Sequence, residues 1–271
     1  MRDRTRVLTE SEITAALDES WEEYWNYYAT RNPSAWHKNW GETCALSFGL
    51  AHPLFNQVAF TSDAITQDEV AEITATMNAR GLPWLWIGKP KGEGDRLTPL
   101  LLEAGLVEIF SLPGMVIDVL ETSITPNPPP ELELCEVTDA GGVQAYNEAI
   151  LPAYEMPIEY GAYFSEVHDL HGYYPDFPMR AYYGVWEGKP VSGSVVFFGE
   201  KVAIIQCVGT REEARGRGFA RALVSTCVEA AQKEGYRYIV LQASDMGFPV
   251  YQKMGFRTVY EQGVFMTPVS E

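Results

Sequence analysis

Three apolar segments joined by two tight turns run directly into a knot of glycine and arginine, and that order constrains the fold more than any bulk property of the chain. The segments are Arg180 to Trp186, Val191 to Phe198 and Val202 to Val208. Glu187-Gly188-Lys189-Pro190 and Gly199-Glu200-Lys201 between them read as hairpin turns. Three strands in a meander form an antiparallel sheet, and the stretch QCVGTREEARGRGFARALV, Gln206 to Val224, leads out of its last strand. Beyond the knot, Ala222, Leu223, Cys227, Ala230 and Ala231 recur at helical spacing from Phe219 to Lys233, and Gly235 stops that helix. Tyr238 to Gln242 reads as a strand, Phe248 to Met254 as a short helix ended by Gly255, and Phe256 to Met266 as a closing strand or hairpin. A meander followed by one helical crossover is an α+β pattern.

Upstream, Leu132 to Val137 reads as a strand and Gly142 to Leu151 as a helix, followed by an aromatic-rich region from Tyr154 to Tyr174. Four prolines lie between Pro126 and Pro130, a stiff extended stretch that cannot continue a helix or a central strand. The expected boundary falls there, with one domain over 1–125 and a second over 126–271. The first half opens on Thr9 and Glu12, spaced as a capping box, and a helix whose Leu17, Trp21, Tyr24, Trp25 and Tyr28 share one face, as a core stripe does. From Ala59 onward it mirrors the second half: strand end, helix, Gly81, strand, helix, Gly105, closing strands. LLLEAGLVEI lies over VYQKMGFRTV with Gly105 and Gly255 aligned, which marks a weak internal repeat. Two domains of mixed, mostly antiparallel sheet flanked by helices are therefore expected.

The 271 residues suffice for two buried cores. A formal net charge of −17 repels phosphate backbones and anionic lipid, so neither nucleic acid nor a membrane surface is an expected partner. No apolar run approaches a bilayer-spanning length, and MRDRTRVLTESE lacks the apolar stretch of a signal peptide, so a cytoplasmic chain is expected. Cys44, Cys135, Cys207 and Cys227 are widely spaced with no CxxC pair, as reduced thiols would be. His168 and His171 lack a nearby third ligand, and no metal is expected.

An anion with two phosphates needs several backbone N–H groups aimed at one place, a helix N-terminus, and residues slim enough for close approach. Arg215-Gly216-Arg217-Gly218-Phe219-Ala220 offers all three, between an expected strand and an expected helix. A Rossmann loop would follow the first strand of a parallel unit, and a P-loop would carry Gly-Lys-Ser or Gly-Lys-Thr; neither context is present. VGTREEARGRGFARALV followed by VYQKMGF instead resembles the acetyl-coenzyme A motif and closing segment of the GNAT superfamily of N-acetyltransferases. The first half then reads as a degenerate GNAT-like domain.

That resemblance implies acetyl transfer from acetyl-coenzyme A to an amine, small or peptidic, and cofactor contacts at Cys207, Val208, Gly209, Thr210, Arg215, Gly216, Arg217, Gly218, Phe219, Ala220 and Ser244. Backbone N–H groups around Arg217 to Ala220 would cradle the pyrophosphate. The strand ending at Val208 would part from the Tyr238 to Gln242 strand to take the pantetheine arm, and the N–H of Val208 or a neighbour would polarise the thioester carbonyl. Ser244 stands where relatives often carry asparagine. Tyr251 stands where a tyrosine commonly protonates the departing thiolate, and it also suits a packing position between helix and sheet. Gln206 occupies a strand where some relatives carry a catalytic glutamate, so the base is left among Glu155, Glu159, His168, His171, Asp176 and a water chain. The aromatic region suits an acceptor pocket or a core equally. In the repeat, the loop Thr61 to Glu69 has no glycine and Leu101 faces Tyr251, so the first half is not expected to bind the cofactor. An acyl-coenzyme A sensor that has lost turnover is the alternative, as is an interaction protein with a merely exposed turn.

Overall fold

The computed structural model describes residues 4–91 and 95–268. In chain order its elements are α1 (Glu10–Arg31), β1 (Trp36–Trp40), β2 (Thr43–Ser47), β3 (Asn56–Phe60), α2 (Gln67–Ala79), β4 (Leu85–Pro90), α3 (Leu97–Glu103) and β5 (Val107–Asp118). There follow β6 (Glu133–Glu136), α4 (Ala140–Ala153), α5 (Gly161–His171), β7 (Met179–Trp186), β8 (Lys189–Phe198), β9 (Ala203–Thr210), α6 (Phe219–Lys233), β10 (Tyr238–Gln242), α7 (Phe248–Lys253) and β11 (Arg257–Met266).

These elements form two compact units, Trp21–Gly114 with Thr258–Glu271, and Met1–Ser20 with Met115–Arg257. The division falls inside α1 and inside β5, so neither unit is a single stretch of chain. The proline run lies within the second unit, where Pro129 passes beside Gly218. An extended segment with few N–H donors suits a strap over a surface as well as it suits a linker.

In the first unit, β1, β2 and β3 pair antiparallel, β3 and β4 parallel, and β4 and β11 antiparallel. Val70, Ile73 and Met77 of α2 pack with Trp86, Leu101 and Phe265 in its core. Helix α2 starts on a capping box: the Thr66 hydroxyl accepts from the Glu69 N–H and the Glu69 carboxylate from the Thr66 N–H. Helix α1 opens the same way on Thr9 and Glu12.

The second unit is the α+β meander with a crossover. Strands β6, β7, β8 and β9 pair antiparallel in sequence order, and β10 joins β9 parallel after α6. Adjacent residues of β8 show how its faces are covered. The Cys227 thiol of α6 donates to the Ser194 hydroxyl, while the missing side chain of Gly193 leaves room for Tyr146 and Ile150 of α4. Successive strand residues point to opposite faces, so α4 and α6 flank the sheet from either side. Leu223, Val224, Cys227 and Val228 of α6 pack with Ile205, Ile239 and Leu241, with Tyr251 of α7 and with Met254 just after it. Gly235, at φ 82°, ends α6 in the left-handed conformation that glycine adopts without strain.

Candidate functional site

Strands β9 and β10 stay together for only part of their length. Their register runs from Ala203 opposite Ile239 to Ile205 opposite Leu241, while β9 continues to Thr210 beside β8 alone. The parting coincides with a bulge. Gln206 faces Val195 and Gly209 faces Gly193, so Cys207 and Val208 together oppose the single residue Ser194. Cys207 takes φ 52°, a conformation costly for a residue with a side chain. Beyond it, the Ser192 hydroxyl donates to the Gly209 carbonyl at 2.8 Å and lies 2.7 Å from the Thr210 hydroxyl. From the other side, the Tyr154 hydroxyl at the end of α4 donates to the Val208 carbonyl at 3.2 Å. The parting of β9 from β10 anticipated from the family resemblance is thus present, and a strand-like ligand could lie along the β9 edge.

The knot follows at once. The Arg211 N–H bonds the Val191 carbonyl, Ala214 is buried, and the Arg215 Nε–H reaches back to the Thr210 carbonyl at 3.1 Å. Gly216 and Gly218 sit at φ 77° and 81°. A Cβ at Gly216 would meet nothing within 4 Å, and one at Gly218 would meet only Pro129 Cγ at 3.8 Å. Residues 215–218 are exposed and α6 begins on Gly218, which has no side chain to cap the first N–H groups of the helix. Here the chain presents helix N-terminal dipole and open approach together. The side chain of Phe219 is buried against Trp186, so Phe219 can offer only its backbone. Arg217 lies over the face of Trp186, 4.2 Å from the ring centre, which holds one cation beside the cradle. Ala220 sits partly buried in the first turn of α6. These residues fit a pyrophosphate.

Tyr251 of α7 is buried, its ring 6.1 Å from that of Phe256. Burial, reinforced by the Cys227 thiol, raises its phenol above the ordinary tyrosine range. Tyr154 is raised by burial first and then by the Cys207 thiol and the Tyr251 phenol. Ser244 is turned toward the start of α7, its carbonyl accepting from the Phe248 N–H and its hydroxyl from the Gly247 N–H. Among the residues considered as a base, Glu155 follows Tyr154 directly and Glu159 lies in the short helical turn Ile158–Tyr160, both exposed. His168, His171 and Asp176 belong elsewhere. The His168 ring stacks on Tyr173 and, like His171, contacts Phe177; Phe177 leads into β7, and the Pro178 carbonyl accepts from Phe198 at the end of β8 remote from Gly193. Burial lowers the His168 imidazole, and its Nδ1 lies 3.0 Å from the Gly172 carbonyl. Gln206 keeps its Nε2 buried without a partner among the described residues.

Sequence reasoning did not find the Cys207 bulge or the bond from Tyr154. The small residues Ser192, Gly193 and Gly209, which let α4 and β8 close on the bulge, were its only trace in the sequence.

The profile of the Acetyltransferase (GNAT) family matches residues 146–256, from within α4 to just past α7. A GCN5-related N-acetyltransferase from Kribbella flavida superposes with TM-score 0.67 at 16% identity, over 95% of this chain and 96% of that one. One from Sphaerobacter thermophilus gives 0.66 at 14% identity, over 100% and 98%. A tandem GNAT protein from the clavulanic acid biosynthesis pathway gives 0.59 at 13% identity, over 97% and 98%. At such identities the likeness is one of fold, and it extends through both halves of the chain. No curated protein matches the chain in sequence.

Proposed function

Residues 146–256 form an N-acetyltransferase domain of the GNAT family, and from that premise we propose that the chain moves an acetyl group from acetyl-coenzyme A to a primary amine by direct transfer. The observation that carries the cofactor assignment is the uncapped start of α6 behind two left-handed glycines, beside the stretch of β9 that has left β10. Acetyl-coenzyme A supplies the activated acyl group. The N–H groups from Arg217 to Ala220 hold the pyrophosphate, with Gly216 and Gly218 permitting contact. The β9 edge from Cys207 to Thr210 would order the arm, and the Val208 N–H would stabilise the carbonyl on which negative charge develops. Tyr251, a phenol protonated at neutral pH and made still harder to ionise by burial, would supply a proton to the departing sulfur. Glu155 and Glu159 are the nearest of the proposed bases in the chain to Tyr154 and face solvent, where a proton can leave.

The reading assigns no cofactor to the first unit. Its α2 uses Thr66 and Glu69 to occupy the helix start, and Leu101, buried in α3, stands where the second half has Tyr251. It includes a cytoplasmic setting, in which Cys44, Cys135, Cys207 and Cys227, none of them in a disulfide among the described residues, stay reduced. No helix among the described residues is long and apolar enough to cross a membrane. A screen of primary amines with acetyl-coenzyme A, following free thiol, tests the proposal. Thiol release that depends on the amine supports transfer. Tight binding of the thioester with no release across the library would favour the sensor.

A further inference from the structure

The bulge on β9 is held by an element outside the sheet. Cys207 has a side chain and no intrinsic preference for φ 52°, so something must keep it there. On the β8 side Ser192 holds Gly209 and Thr210, both past the bulge. Val208, the second bulge residue, is held through its carbonyl by the Tyr154 hydroxyl at 3.2 Å. The end of α4 is pressed against this point. A Cβ on Gly209 would lie 2.8 Å from Ile150 Cδ1, 3.0 Å from Ala153 Cβ and 3.1 Å from Tyr154 Cε2. The phenol therefore has little freedom to swing away from the Val208 carbonyl.

We propose that Tyr154 is a positioning residue for acetyl transfer: by holding the Val208 carbonyl, its hydroxyl keeps Cys207 in the left-handed turn and thereby aims the Val208 N–H at the thioester carbonyl. The inference rests on the acetyl-transfer reading above. Two peptide planes flank Val208. The Tyr154 bond fixes the one carrying its carbonyl, and the Cys207 conformation fixes the one carrying its N–H. The strain of a left-handed cysteine and the worth of one hydrogen bond are of the same order, so removing the bond lets the bulge relax in a sizeable share of molecules. An N–H that is aimed for only part of the time stabilises the developing charge less, while the pyrophosphate cradle on Gly216 and Gly218 is untouched.

The test uses Tyr154→Phe in the full chain, which keeps the ring against Gly209 and removes only the hydroxyl. The probe is acetyl-coenzyme A labelled with ¹³C at the thioester carbonyl, whose resonance and stretching frequency report hydrogen bonding to that oxygen when bound. In the wild type the bound carbonyl should be polarised relative to free ligand. In Tyr154→Phe that polarisation should fall, with affinity for coenzyme A itself, which has no acetyl carbonyl, within about twofold. Turnover with any accepted amine should drop by about tenfold, less than removal of an oxyanion donor outright causes. Adding Cys207→Gly supplies a residue that takes φ 52° without strain, and the double variant should recover much of the polarisation and turnover. A merely structural role for Tyr154 would lower the melting temperature and leave the bound carbonyl as in the wild type, and that result overturns the proposal. So does a double variant no better than Tyr154→Phe. Failure of the wild type to bind acetyl-coenzyme A would instead bring down the acetyl-transfer reading and the inference with it.

Discussion

Gly218→Val separates the two things a left-handed glycine can be for. At φ 81°, a side chain costs about 1–2 kcal/mol of backbone strain. The protein adds little to that, because the new Cβ would meet only Pro129 Cγ at 3.8 Å, an ordinary contact. A domain stable by roughly 5–15 kcal/mol survives such a loss, with a melting temperature lower by roughly 2–8 °C. The larger effect should fall on the ligand. Coenzyme A at about 100 times its dissociation constant stabilises the native state by about 2.7 kcal/mol, which raises the wild-type melting temperature by roughly 5–10 °C. Branched methyl groups over the start of α6 obstruct the pyrophosphate. If affinity falls by about a hundredfold, the stabilisation left is about 0.4 kcal/mol, a shift of about 1 °C. Gly235→Val is the matched control: its φ is 82°, a Cβ there meets nothing within 4 Å, and it sits at the opposite end of the same helix. That variant should lose similar stability and keep the full coenzyme A shift. Differential scanning of both variants with and without ligand decides the matter. A full shift in folded Gly218→Val, or an equal loss in Gly235→Val, would refute the cradle.

Three further outcomes are expected. Tyr251→Phe should lower turnover by about 100-fold or more with melting temperature and coenzyme A affinity nearly unchanged, and turnover within about threefold of the parent would make Tyr251 a packing residue. Titration calorimetry should count one coenzyme A per chain; two would mean that the first unit also binds. Burial pushes the Cys227 thiol up to about 12, so its stabilising contribution is intact below the unfolded thiol value near 9 and is lost as pH rises toward 12. At pH 10 the unfolded thiol is mostly ionised and the folded one is not, which costs about 1.4 kcal/mol. Urea unfolding at pH 8 and pH 10 should therefore show a shallower alkaline loss for Cys227→Ala than for the wild type, and equal losses would contradict the assigned burial.

What could be read from sequence followed the range of the interaction that fixes each feature. Tyr238–Gln242 and Phe219–Lys233 have the bounds expected of them, because alternation, helical spacing and a terminal glycine are local signals. The α+β order of the second half was legible for the same reason. The bulge was not, since its left-handed residue is a cysteine and its cause is a tyrosine more than fifty positions away. The aromatic region from Tyr154 to Tyr174 shows the same limit. Its composition was compatible with pocket and core alike, and only packing sends Tyr154 to the bulge and His168, with Tyr173 and Phe177, to the far end of the sheet. The division of the units within α1 and β5 likewise depends on pairings between distant segments, which carry no local mark.

The two halves diverge most informatively where each starts the helix after its parallel crossover strand. Helix α2 spends Thr66 and Glu69 on its own N-terminus, an arrangement in which the side-chain cap is worth about 1 kcal/mol. Helix α6 forgoes that cap, and Gly216 and Gly218 add conformational freedom that must be lost on folding. Local stability therefore argues against the α6 arrangement, and the stability it lacks must come from elsewhere. The rest of α6 is well able to supply it: Leu223, Val224, Cys227 and Val228 are fully buried against β9 and β10. A helix anchored so firmly along its length can leave its first N–H groups unfilled without fraying. An anion arriving there meets donors already fixed in place, so little ordering opposes its binding. In α2 the Thr66 hydroxyl already takes the Glu69 N–H, and an anion would have to displace that cap and face the carboxylates of Glu69, Asp63 and Asp68 beside it. The repeat thus keeps one topology and separates its two copies by a choice made at four or five residues, which is why the asymmetry between the halves was visible in sequence while the geometry of the bulge was not.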